Sequence, residues 1–209
     1  TGTNFYVMHE SGSSAISLTP AAGTSVPGAF GVSGALTAGS AGVTGNTTVG
    51  GTLVNTGLIT ASAGVAIGGT GSANTIGDYE EGTYTPTVTG ATGSFGLAGG
   101  SDTVYYTKIG RVVHVQGYIS INADNSANGA IRMSLPFAPT GLTDDGEYVM
   151  SHLSLTNTGN TTAGTKQLFI LSDGAYLHNV TDAGVSSYIT HAQVDAAWQM
   201  GFGFSYIVQ

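Results

Sequence analysis

The sequence predicts an all-β protein in two unequal parts: an intertwined, homotrimeric Gly/Thr-rich β-rod, followed by a jelly-roll-like β-sandwich head. Three observations predict it. Between Ser11 and Gly77 there is not one Asp, Glu, Lys or Arg. Over much of that stretch Gly recurs among Val, Leu, Ile and Thr, a mixture that disfavours helix and suits short strands and turns. The chain then closes in "WQMGFGFSYIVQ", where Trp198, Met200, Phe202, Phe204, Tyr206 and Val208 occupy one face without interruption. That period of two marks a core strand.

Composition narrows the function classes. Only 8 % of residues are charged, against about 25 % in ordinary domains. With 41 % hydrophobic residues, the chain is expected to fold rather than stay disordered. The net charge is −8, and the basic residues number four: Lys108, Arg111, Arg132 and Lys166. A nucleic-acid partner needs several cations to displace counterions from phosphate, so that class is excluded, as is a basic membrane-surface helix. No apolar run approaches the ~18–20 residues of a spanning helix, so no membrane insertion is expected. There is no cysteine, hence no disulfide framework and no thiolate chemistry. The start, "TGTNFYVMHE", has neither an initiator Met nor a signal-peptide pattern and reads as a fragment of something longer. Asn-x-Thr triplets at Asn46, Asn160 and Asn179 are what a Thr-rich chain produces by chance.

The first part, residues 1–77, is read as the shaft. Residues 31–69 repeat fragments such as "GALTA", "GTLVN" and "GLITA", a pattern of very short strands joined by tight turns. From Gly31 to Asp78 there is no aromatic residue. One such ribbon cannot bury enough surface to offset the conformational entropy of its Gly and Thr. Three copies sharing an axis could, and a closed triangular section leaves no exposed strand edge. A flexible Gly/Thr/Ser linker is the competing reading, and the recurring Val, Leu and Ile argue against it.

Residues 78–86, "DYEEGTYTP", form the joint. Asp78, Glu80 and Glu81 are expected to pair with Lys108 or Arg111 of the same or an adjacent chain, or else to make a solvated acidic turn. Residues 87–209 are the head. Strand-like runs at 104–110, 111–121, 130–136, 147–155, 166–172, 175–180, 186–194 and 198–209 are separated by Gly, Asn, Asp and Pro. In the second run Val113, Val115, Gly117, Ile119 and Ile121 share a face. Gly201 and Gly203, opposite the apolar face of the last run, suggest a backbone or ring lying close against it.

The stretch "VAIGGTGSANTIGDYEEGTYTPTVTG", followed by "YYTKIGRVVHVQGYISI" and "SLPFAP", resembles the C-terminal part of tail-fibre proteins of tailed bacteriophages. The likeness covers roughly residues 50–140. It implies a homotrimeric virion fibre, attached upstream to other tail proteins, whose distal tip contacts a bacterial surface glycan or outer-membrane protein. It implies no receptor residue individually, and no cofactor.

For binding, the expected candidates are loop residues at strand ends: Asn122, Asn125, Asn128, Asp144, Asp145, Asn157 and Asn160, with aromatic rings stacking on sugar faces. Each reads as a turn-former before it reads as a ligand. Catalysis finds little footing. Glu80–Glu81 and Asp144–Asp145 are neighbours whose side chains diverge in extended chain, so neither pair flanks one glycosidic bond. There is no "G-x-S-x-G" elbow. "NADNSANG" (122–129) lacks the closing glutamate of a calcium loop, and "GGTGS" (68–72) lacks the Gly-Lys ending of a phosphate loop. No metal site is expected within one chain; His9 and His178 are weak candidates for one on a three-fold axis. The expectation is a non-enzymatic fibre that adsorbs to its host. A fibre segment without a receptor, a polysaccharide-degrading tailspike and a bacterial surface adhesin remain the alternatives.

Overall fold

A computed structural model describes residues 35–36, 38–69, 71–139, 148–159 and 163–208. The chain divides into two units, Thr1–Gly57 and Leu58–Gln209. In the first, the described residues form bends and irregular backbone with no strand. A strand needs a partner for its N–H and C=O groups, and Gly-punctuated chain of this kind finds none within itself. Every described Val, Leu and Ile from Leu36 to Ile76 is exposed, Leu58 to 93 %.

The second unit opens with a small hairpin, β1 (Val65–Ala66) and β2 (Thr75–Ile76). The remaining strands are β3 (Tyr79–Tyr84), β4 (Val88–Thr89), β5 (Thr92–Leu97), β6 (Val104–Ile109) and β7 (Val112–Asn128). They continue as β8 (Arg132–Met133), β9 (Val149–Thr156), β10 (Thr165–Leu171), β11 (Gly174–Val180), β12 (Ser186–Tyr188) and β13 (Gln199–Ile207). The protein is all-β.

The strands hydrogen-bond in the order β13-β9-β10-β11-β8-β4-β5-β7, and β7 pairs back onto β13. Eight strands therefore close a ring. β6 and then β3 extend the sheet from β7, and β12 extends it from β11. The jelly-roll-like sandwich expected from the sequence is thus a closed barrel with added strands. The cause is β7, whose 17 residues serve both halves of the ring. Its N-terminal half pairs with β6 on one side and β13 on the other, and its C-terminal half pairs with β5. Closure removes the free edges a sandwich would keep.

The core follows the alternation. Val113, Val115, Ile119 and Ile121 on β7 point inward with Leu168 and Ile170 on β10, Leu177 on β11, and Met200, Phe204 and Tyr206 on β13. Trp198 is fully buried and meets Phe95 edge to face, ring centroids 5.6 Å apart. Each large apolar side chain so buried contributes about 1.5–3 kcal/mol. Gly117 is required by packing, because a Cβ there would run into the Val104 side chain. Of the two outward glycines on β13, a Cβ at Gly201 would meet the Tyr118 ring at 3.5 Å, whereas Gly203 faces open space. The close neighbour expected from sequence exists at the first and not at the second.

The acidic joint is a strand. β3 pairs with β6 along its whole length, with Glu80 opposite Lys108, and Asp78, just before the strand, makes an ion pair with the same lysine. The Tyr106 hydroxyl donates to Glu80. Arg111 takes no acidic partner here; its Nε donates to the Val208 carbonyl at 3.0 Å. Two buried hydroxyls then fasten the 134–137 segment. Tyr84 donates to the Ser134 carbonyl, and Tyr206 to that of Phe137 at 2.9 Å. Burial pushes the Tyr206 phenol up to about 12.

Candidate functional site

The outward side chains of β9–β12 do not follow the usual rule that the solvent face of a strand is polar. On β10, Leu168 and Ile170 go inward and Phe169 and Leu171 outward; on β11, Leu177 goes inward while Tyr176 and His178 go outward. Register then brings these groups together. Phe169 lies directly opposite Met150 on β9 and Tyr176 on β11, and His178 lies opposite Tyr188 on β12. Diagonal neighbours on one face are within reach of aromatic rings, so His178 meets Phe169. The two rings stack with centroids 3.9 Å apart and planes 5° from parallel. Tyr188 covers the other side of the imidazole at 4.3 Å and tilts over Tyr176 at 5.4 Å.

This ladder floors a cavity of about 460 Å³ lined by Tyr148, Met150, Phe169, Leu171, His178 and Tyr188. Beyond Tyr188 lies a second cavity of about 370 Å³, lined by Gly90, Ala91, Ala130, Arg132, Tyr176 and Tyr188. The Arg132 guanidinium sits 5.9 Å from the Tyr176 ring centre and pairs with Asp173. Tyr176 donates its hydroxyl to the same carboxylate at 2.9 Å. Burial alone would raise the Asp173 pKa, but the hydrogen bonds from Tyr176 and Arg132 outweigh it and hold the carboxyl below its ordinary range.

His178 is the unusual member. Although it points away from the core, Phe169 and Tyr188 bury it. Its Nδ1 lies 3.1 Å from the Ser186 hydroxyl, and its Nε2 is buried with no hydrogen-bond partner. Burial lowers its pKa, which favours the neutral ring. The weak axial-metal candidate is thus enclosed in the wall of the barrel, and among the described residues no group of three or more His, Cys, Asp or Glu could hold a metal.

The opposite wall carries a different apolar feature. In the ring, three strands separate β7 from β11 in either direction. Across β3, β6, β7 and β13 the register aligns Tyr79, Ile109, Val112 and Ile207 in one row, all exposed. The next outward row, Glu81, Thr107, His114 and Ser205, is polar, with His114 Nδ1 3.1 Å from the Ser205 hydroxyl.

Of the loop residues expected to bind, the described ones, Asn122, Asn125, Asn128 and Asn157, line neither cavity. Asn122, Asn125 and Asn128 lie within β7 rather than in a strand-end loop. There β5 pairs with Asn125 and Asn128 and skips Asn122 at a register shift, and Ser126 takes a left-handed turn at φ 59° beside the Asp124 carboxylate, which accepts from the Ala127 N–H. Asn157 is exposed just after β9, at φ 58°. Asp144, Asp145, Asn160 and His9 lie outside the described residues. The lining residues that sequence reasoning did not single out are mostly aromatic, come from separate strands, and carry one local signal: large apolar side chains at the solvent-facing positions of otherwise alternating strands.

No family model matches the chain, and no curated protein matches it. Among solved structures it is similar to the Dettilon tailspike protein (gp208), with 14 % sequence identity and a TM-score of 0.47 over 61 % of this chain and 24 % of that one. The match therefore spans about a quarter of that protein's length. Among the described residues, no helix is long and apolar enough to cross a membrane.

Proposed function

We propose that the chain is the distal part of a virion tail fibre: identical copies, three about one axis, wind together along the uncharged stretch, and the barrel attaches to a bacterial surface without cleaving it. One observation carries the assembly. Every described Val, Leu and Ile from Leu36 to Ile76 is exposed in the single chain, and such a run of unburied apolar side chains marks an interaction surface. The absence of charge over the same residues suits a segment whose neighbours are copies of itself, since a charge near a symmetry axis faces its own image. The exposed row from Tyr79 to Ile207 begins directly after that stretch in sequence and gives the barrels a contact of the same kind.

The attachment reading rests on the resemblance of residues 50–140 to tail fibres and on the aromatic cavity, which lies on the wall away from the apolar row. Its receptor is a surface glycan or an outer-membrane protein. Among the described residues the cavity lining contains no carboxylate, so it lacks the pair of carboxylates that most glycosidases use. Light scattering tests the assembly. The expected mass is three times 20.9 kDa, and a mass near 20.9 kDa would sink it. Incubation with capsular polysaccharide is expected to release no reducing ends; their accumulation would make the protein a depolymerase.

A further inference from the structure

We infer that the β9–β12 wall takes an uncharged oligosaccharide, one sugar ring lying on the Phe169–His178–Tyr188 ladder and the next reaching the Arg132–Tyr176 side. The inference rests on the attachment reading above and names the ligand class of that surface. Aromatic faces present the weakly negative side of their rings, which suits the C–H face of a sugar. Phe169 and Tyr188, the outer rings of the ladder, line a cavity of about 460 Å³, and Tyr188 joins it to a second of about 370 Å³. The site thus continues past a single ring, as an oligomer requires.

Polar groups decide between a sugar and a purely apolar occupant. Tyr148 and Tyr188, both exposed, bring their hydroxyls to the lining of the first cavity. An inserted apolar side chain would leave both hydroxyls without a partner. A ring with an apolar face and hydroxyls at its edge can serve them.

Charge decides which sugars. The four basic residues are engaged: Lys108 with Asp78, Arg132 with Asp173, Arg111 with the Val208 carbonyl, and Lys166 with Asn179. An anionic sugar at this wall would meet Asp173 and a chain of net charge −8, and Arg132, the one cation among the described residues lining either cavity, is already paired with that carboxylate. Uronic and sialic acids are therefore disfavoured.

The test is an oligosaccharide array carrying neutral hexose, deoxyhexose and heptose oligomers beside uronate- and sialate-bearing ones, probed with the full chain. Binding to neutral members only is expected. Tyr188→Ala and Tyr148→Ala should each weaken it at least about tenfold, at unchanged mass and melting temperature. Both residues are exposed or half-exposed and outside the core, so a fold defect in one variant leaves the other to report. Preference for acidic members, no binding to any neutral member, or undiminished binding by both variants would overturn the inference. Adsorption to a panel of bacterial strains separates the two levels. Loss of adsorption after periodate treatment of the cells, but not after protease, is expected. Loss after protease alone would overturn the glycan and leave attachment standing, and no adsorption to any strain would overturn both.

Discussion

The uncharged stretch from Leu36 to Ile76 and the barrel use the same Val, Leu and Ile, and treat them in opposite ways. In the stretch all of them are exposed; in the barrel Val113, Ile119, Leu168, Leu177 and their neighbours are buried. Residue type does not explain the difference. The barrel joins strands far apart in sequence, as when Val112 pairs with Ile207, and its longer strands β7, β10, β11 and β13 each supply two or more inward apolar residues. The stretch offers one small apolar residue between turns and no ring to close. Apolar burial here is a property of closure: the barrel closes by itself, and the stretch does not.

Breaking the ring is the largest test of that contrast. Removing residues 198–209 deletes β13, the strand that links β9 to β7, together with Trp198, Met200, Phe202, Phe204 and Tyr206, all buried. At about 1.5–3 kcal/mol each, their loss matches the ~5–15 kcal/mol stability of a whole domain. The truncated chain should show no cooperative transition in calorimetry. A soluble truncation that still melts sharply would mean that closure is not what holds the core.

A paired substitution is gentler. Leu177→Ala, inside the barrel, should cost about 2–5 kcal/mol in denaturant unfolding. Leu58→Ala touches a side chain 93 % exposed in one chain and should stay within about 0.5 kcal/mol for an isolated copy. In the assembled fibre it is expected to cost more than ~1 kcal/mol, since burying Leu is worth about 0.8 kcal/mol per methylene. Neutrality at Leu58 in the assembled protein would leave the stretch without a shared core.

The smallest effect concerns pH. Burial lowers the His178 pKa in the fold, so below the unfolded value of about 6.5 the unfolded chain binds more protons than the native one. Stability should therefore fall as pH drops through that value and be insensitive to His178 above it. His178→Gln should flatten this slope between pH 5 and 7. An identical slope in the variant would show that the imidazole is not held neutral.

Much of the fold was legible. The alternation in residues 111–121 and 198–209 marks strands that became β7 and β13, and six other runs fall on β6 and β8–β12. β4 has two residues and β5 reads "TGSFGL", too short or too Gly-broken for a period to show. Closure was not legible, because it depends on which distant strands pair, and alternation says only which face is apolar. The candidate site was harder still. Asn and Asp in turns stand out in a sequence, whereas Met150, Phe169, His178 and Tyr188 belong to four strands and become neighbours only through register.

One consequence of the strand order concerns aggregation. Where the sheet stops, unpaired backbone groups invite another chain to add itself. Among the described residues the sheet stops at β3 and at β12. β12 is three residues long, too short to template much, and β3 carries Glu80 and Glu81 with both side chains exposed. Charge on an outermost strand discourages a stranger from continuing the ladder. The acidic cluster that ends the uncharged run thus acts as a guard on the barrel's one long open side, and the guard matters most where many copies are held close together.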